Sequence, residues 1–448
     1  MSSEQQYIDL YQGYRDTIMR LSPEPMNAVR EASFDAFRRQ GLPTRKAERY
    51  KYSDMRALFA PDCGVNLRRL QPSTDPLAAF RCSLPNLQSS LFSVVNDTFC
   101  DALQGVRSRL PEGMYVGTLS DYCRLQPDFA SKHYAKIASC DADAVTALNT
   151  MLAQDALVVH VERGVRAEHA VQIINLLRSD APTMVNRRVL IVLDEGAEAT
   201  LFVCDHCDDG PLFLTTQVTE VYVGAGAALR LYCMEETHAR NRRVNNVVVE
   251  QHKDSRFAHA SLTLHNGTTR NALEIRLTEE GAECRIDGIA IADKHQHVDN
   301  NTLIEHIAPH CTSRELYKYV LDEHATGAFA GRVLVHAGAH HTVSEENNHN
   351  LCATKEARMY SQPMLEIYAD DVKCSHGSAV GQLSEDALFY MRQRGISLAE
   401  ARVLLQYAFV NEVVEQITLA PLRERLSYLV DKRFRGELHT CHGCPHCS

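Results

Sequence analysis

The 448-residue chain contains no tryptophan, so an aromatic platform for stacking sugars is disfavoured. It has no apolar run long enough to cross a bilayer. The opening stretch MSSEQQYIDLYQGYRD lacks the apolar core of a secretory signal. A cytoplasmic location with no membrane partner is therefore expected. Positive charge is in deficit: the formal net charge is −10, which argues against nucleic acid or an anionic lipid surface as partner. The pattern G-x-x-x-x-G-K-S/T is absent, so any ATP hydrolysis belongs to another protein. VGAGAALRL holds G-x-G without a third glycine, and it lies in a strand-like pattern rather than opening a helix. A dinucleotide site is not expected there.

What is present is globular: 45% hydrophobic and 23% charged residues. The length implies two or three domains, or one elongated domain with attachments. Fifteen cysteines in a reducing compartment read as thiols rather than a disulfide framework. The 21 histidines beside them make metal chemistry worth testing.

The first 155 residues read as a mixed, mainly helical cap. Ser22-Pro23 places a capping hydroxyl before a proline at the first helical position, and Gly41 follows the segment ending AFRRQ. LPEGMYVGTL and ADAVTALNTMLA suggest short strands and a helix. From residue 156 to 383 alternation takes over, as in RRVLIVLDEG, QVTEVYVGAG and RVLVHAG. GAEATL from Gly196, GAALRL from Gly226, SRFAHA from Ser255, GAECRI from Gly281 and GAHHTV from Gly338 share one shape. Their starts lie 30, 29, 26 and 57 residues apart, and TSRELY from Thr312 fills the long gap. Units of this size cannot bury an apolar face alone and must stack on neighbours. A β-helix, or solenoid, does so with short strands; a large β-sandwich is the alternative.

Residues 384–434 return to helical spacing. Ser384 offers an N-cap, Gly395 a stop, and Ser397 with Glu400 a capping box. In ARVLLQYAFVNEVVEQI the apolar stripe is wider than one contact needs, with Val403, Leu404, Tyr407, Val410, Val414 and Ile417 widened by Phe409 and Val413. It suggests a docking surface for another subunit or a cap over the last open rung. Residues 435–448 form a short polar tail.

Four places carry candidate chemistry. In YADDVKCSHGS, Cys374 and His376 share one strand face, about 7 Å apart along the backbone. That spacing suits a bulky iron–sulfur cluster better than one tetrahedral ion, and thiolate and imidazole are donors such clusters accept. Two residues cannot complete a cluster site, so another chain would supply the rest. Ordinary strand side chains, or a nucleophile pair oriented by Asp370 or Asp371, are the alternatives; no oxyanion hole is specified. HQHVDNNTLIEH offers His295, His297 and Asp299 on one face, with His306 beyond, as either a metal face or the polar exterior of a rung. Cys204 and Cys207 form a C-x-x-C that needs a turn to converge and reads as structural. The tail gathers Cys441, Cys444 and Cys447 with His439, His442 and His446, a set able to hold zinc or iron without help from the fold.

GLPTRKAERYKYSDM (41–55), APHCTSRELYKYVLDEHATGAFAGRVLV (308–335), QPMLEIYADDVKCSHGSAVGQLSEDALFYMRQRGI (362–396) and LLQYAFVNEVVEQI together resemble the SufB/SufD family of iron–sulfur cluster assembly scaffolds. The connector and the KCSHG string resemble the SufD branch; SufB carries an acidic EHEAT-like string there. One departure is Tyr50, where the family commonly has tryptophan. The resemblance implies a mainly β fold: a right-handed parallel β-helix core between helical N-terminal and C-terminal regions. It implies a non-enzymatic scaffold that pairs with a SufB-like paralogue through the β-helix and engages the SufC ATPase through the C-terminal helices. A homodimer of the isolated chain is compatible with it. His376, and secondarily Cys374, match the family's interface ligands for a transient cluster shared with the partner, and no tightly bound cofactor is expected in the isolated chain. The alternative is a metal-binding β-solenoid that uses its Cys/His-rich tail.

Overall fold

From Leu157 onward the chain alternates between two sheets, and one strand to each makes one coil of a parallel solenoid. Leu157–Val161 enters the first sheet and Ala170–Leu177 the second; Arg358–Ile367 and Lys373–Gly381 form the last coil. In this computed structural model, which describes residues 3–69, 89–100, 110–207 and 210–437, both sheets are 10-stranded. Four early strands also join them: Ser89–Val95 pairs parallel with Ala170–Leu177 and antiparallel with Thr98–Cys100, Met114–Thr118 pairs antiparallel with Leu157–Val161, and Gly64–Val65 pairs parallel with Thr183–Leu193. The solenoid expectation holds and the sandwich does not.

The sequence repeat is one coil. Ala228, Arg256, Glu283, Thr312, Val343 and Lys373 stand in register on successive strands of the second sheet. The turn before each strand carries a left-handed residue, glycine at Gly196 (φ 69°) and Gly226 (φ 65°) but Asp254 (φ 53°) and His310 (φ 59°) elsewhere. Only glycine takes that conformation without steric cost.

Inward rows such as Leu229, Leu231, Phe257, Ile286, Tyr317 and Phe329 fill the lumen. A charged network is buried among them. Arg187 donates to Asp205 at 2.7 Å, while Arg243 reaches Asp205 at 2.8 Å and Glu235 at 3.4 Å. Burial alone would lift the Asp205 carboxyl, but Arg243 and Arg187 outweigh it and hold it below its ordinary value.

Helices clothe the outer faces. Helices Gln5–Arg20, Glu24–Gln40 and Ala144–Leu152 pack Tyr11, Phe37 and Leu148 over Met184, Leu214 and Val244 of the first sheet. Helices Leu398–Val414 and Ala420–Phe434 seat Val410, Val413, Leu422 and Leu426 on Tyr232, Met234, Leu262 and Ile289 of the second. Each buried aliphatic side chain contributes ~1.5–3 kcal/mol relative to exposure. Two latches fix the C-terminal helices. Arg433 donates to the Leu264 carbonyl and Asp293, both at 2.7 Å, and Lys318 donates to the Phe409 carbonyl at 2.8 Å.

Three local expectations change. Ser22 does not cap the second helix; Pro23 holds the N-cap position, and the Ser22 hydroxyl donates back to Ile18. Ser397 caps as expected, but Glu400 gives its carboxylate to Arg435 at 2.8 and 2.9 Å instead of closing the box. The helix after Ser397 covers the flank of the second sheet and leaves the last coil open, so it is no cap over the final rung. Among the described residues no helix is long and apolar enough to cross a membrane.

Candidate functional site at the open end of the solenoid

Cys374 and His376 lie on Lys373–Gly381, the last strand of the second sheet, which among the described residues pairs only with Val343–Cys352. Register decides their direction. Cys374 stands over Ser344 and His376 over Glu346, and both lower residues are fully buried members of the inward row. The pair therefore belongs to the lumen row of a coil that, among the described residues, has no coil above it. Cys374 is half-buried beside Val333, Val335 and Ala339, and burial pushes its thiol up. His376 is exposed. Ser361 joins the two sheets at this mouth, with its hydroxyl 2.7 Å from both Asn348 Oδ1 and the Ser378 hydroxyl.

Sequence reasoning missed what lies underneath. Glu346 sits one strand below His376 and Glu315 one strand below Glu346. Both are buried, and none of their carboxylate oxygens has a hydrogen-bond partner among the described residues. Burial raises both carboxyls, and the charge of Glu315 raises Glu346 further. At neutral pH they favour the protonated form. No local signal marks this column, because its members are about 30 residues apart and meet only through register.

The rim is apolar. Ile367 at the end of the last strand of the first sheet, with Tyr368 and Val380, is exposed: 41, 66 and 54% respectively. Both final strands also carry an unpaired backbone edge, a template for pairing with another chain.

The other candidates do not converge. His297 and Asp299 share the outer face of His297–His306, but Ser53 occupies them: its hydroxyl donates to Asp299 at 2.5 Å and lies 3.2 Å from His297 Nε2. His295 lies in the preceding turn and stacks on His324 at 5.2 Å. His306 faces the lumen, fully buried, with Nε2 2.8 Å from the Ser313 hydroxyl. Cys204 and Cys207 sit on one strand in different apolar clusters and form no disulfide. Cys441, Cys444 and Cys447 lie outside the described residues. Among the described residues no group of three or more His, Cys, Asp or Glu side chains is arranged to hold a metal ion.

The 41–55 connector clamps the outside of the first sheet. Arg270, fully buried, stacks over Tyr50 at 4.0 Å and donates to the Arg49 carbonyl at 2.7 Å. The Tyr50 hydroxyl bonds Asp143, which caps helix Ala144–Leu152. A phenol makes that bond, which gives the Tyr50 departure a structural use.

Comparison with known proteins gives this geometry its family. Residues 175–409 match the model of the SUF system FeS cluster assembly SufBD core domain, and residues 1–173 match the SufBD protein N-terminal region. The chain is 28% identical to an iron–sulfur cluster assembly SufBD family protein of Synechocystis over 90% of each chain. It is 28% identical to the iron–sulfur cluster assembly protein SufD of Escherichia coli over 89% of this chain and 90% of that one. It is 26% identical to a chloroplastic protein of Arabidopsis thaliana, ABCI7, over 90% and 84%. The chain belongs to the SufBD family of the SUF iron–sulfur cluster assembly system.

Proposed function

We propose that this chain is a SufD-type scaffold subunit, cytoplasmic and without a reaction of its own, that pairs through its open coil with a SufB-like paralogue. The nascent iron–sulfur cluster is cargo. His376 is its principal ligand from this side, Cys374 the secondary one, and the partner completes the set. The observation that carries the reading is the position of His376 on a lumen row with no described coil above it, in a last coil that also exposes Ile367, Tyr368 and Val380.

An imidazole and a thiol in one strand row are soft donors of the type clusters accept, and two of them leave the usual four-ligand set half filled. The rim supplies apolar area for association, and the unpaired strand edges supply backbone hydrogen bonds. A SufC-like ATPase would dock on the C-terminal helices, where Phe389, Tyr390 and Leu404 remain exposed after the opposite face has packed on the core.

The test is co-expression with SufB-like and SufC-like subunits and recovery of the assembly by size-exclusion chromatography. Ile367→Glu with Val380→Glu, both exposed, should abolish pairing with the paralogue while leaving the monomer folded. Pairing that survives both charges would refute the open-end reading.

A further inference from the structure

A second feature lies on the opposite, outer face of the first sheet, between that face and the connector. Its floor is a ladder: Arg242, Thr268, His297, Thr326 and Arg358 stand in register on five successive strands. Four inter-strand spacings of ~4.8 Å make this floor about 19 Å long. The connector forms the wall with Arg45, Lys51, Tyr52, Ser53 and Asp54, and the groove between wall and floor holds ≈ 600 Å³.

Its charge is out of keeping with the chain. Four cations, Arg45, Lys51, Arg242 and Arg358, line a groove in a protein of net charge −10. Among the described residues the guanidinium groups of Arg45 and Arg358 make no ion pair or hydrogen bond. Lys51 stands 5.2 Å over the Tyr52 ring, and Arg242 donates to the carbonyls of Ala57 and Leu58 rather than to a carboxylate. The one carboxylate in the wall, Asp54, is turned to the Ala57 N–H as a helix cap. Asp299, two residues on from His297 along the same face, is buried under the connector and held by Ser53. Unpaired cations facing one concavity repel each other unless an anion joins them.

The groove also offers a planar surface. Tyr52 stacks on Tyr360, with ring centroids 5.1 Å apart and planes at 21°, and Tyr360 remains 42% exposed. The Tyr52 hydroxyl is anchored to Gln362 at 2.8 Å, which fixes the ring.

We propose that this groove binds a phosphorylated small molecule bearing a planar ring, the chemistry of a nucleotide, with phosphate held by the arginines and ring laid against Tyr360. Arginine forks match phosphate oxygens, and the threonine hydroxyls and His297 of the floor supply further polar contacts. The volume lies within the ~300–1,000 Å³ usual for small-ligand sites. A concavity walled on one side by the connector fits a small molecule better than an extended acidic polypeptide.

The experiment is calorimetric titration of the purified full chain with ADP, with inorganic pyrophosphate, and with poly-glutamate as acidic polymer. Because it uses the chain alone, its outcome is independent of cluster assembly. The expected result is saturable binding of ADP in the micromolar range, and weaker binding of pyrophosphate. Arg45→Glu with Arg358→Glu should weaken both by at least about tenfold. Tyr360→Ala should weaken ADP while leaving pyrophosphate unchanged. All three side chains are exposed, so the variants should keep the parent melting temperature. The proposal is overturned if ADP shows no saturable binding, if charge reversal leaves it unchanged, or if poly-glutamate binds in preference to ADP.

Discussion

Glu346 lies in register directly beneath His376, one strand down the second sheet, and is fully buried where His376 is exposed. The open end of the solenoid therefore has a protonatable floor under its exposed imidazole. Glu315, one strand deeper, extends the column and is the cleaner probe of its energetics because it is farther from the mouth.

Glu315→Gln should stabilise the chain at neutral pH, by about 1–3 kcal/mol. Burial raises the folded-state value of Glu315 above the unfolded 4.5. Above pH 4.5 the unfolded chain releases a proton that the folded chain retains, so wild-type stability falls as pH rises toward the folded value. The advantage of the amide should thus grow from pH 4.5 upward and vanish below it. Urea unfolding of both forms across that window checks the sign.

His259 and His306 act in the opposite direction. Burial pushes each imidazole from 6.5 down to about 4. Below pH 6.5 the unfolded chain takes up protons that the folded lumen refuses, so stability falls as pH drops from 6.5 toward 4. His306→Gln should lose less stability between pH 7 and pH 5 than the wild type, as read by the shift in urea midpoint. An equal shift would mean that His306 already charges in place.

Removing the Arg433 latch should loosen the C-terminal helices without unfolding the solenoid. Arg433→Ala deletes bonds to the Leu264 carbonyl, Asp293 and Gln296, and a charged hydrogen-bonding group of this kind contributes ~1.5–3 kcal/mol. Hydrogen exchange should quicken in Ala420–Phe434 and stay slow in the lumen strands.

Deleting residues 439–448 separates the Cys/His-rich tail from the scaffold reading. Zinc or iron bound by the isolated chain should fall, while cluster assembly with partner subunits should persist. Elemental analysis beside an assembly assay reads both. Loss of assembly together with the metal would transfer the function to the tail.

The coil was legible because a left-handed turn recurs and glycine marks it at Gly196, Gly226 and Gly281, whereas Gly338 stands three residues before the equivalent position. It faded at Asp254, His310 and His341, where other residues adopt the same backbone. Alternation correctly put His297 and Asp299 on one face. It could not tell that His295 falls in the turn, or that His306, an odd number of residues beyond His297, points inward. Cys374 and His376 were visible as a local string. Glu346, Glu315 and the Arg187–Asp205–Arg243 network were not, because register brings together residues from different coils and sequence spacing alone does not fix register. Glu400 misled for a related reason: its partner Arg435 arrives from a helix outside the local motif.

The most direct measurement is cluster yield in the reconstituted assembly carrying His376→Ala, prepared anaerobically and read by absorbance and by iron and sulfide content. The side chain is exposed on an edge strand, so the subunit should still fold and pair. The account predicts a several-fold loss of cluster from an intact complex, with Cys374→Ser giving a smaller loss. Full yield from the intact His376→Ala complex would contradict it.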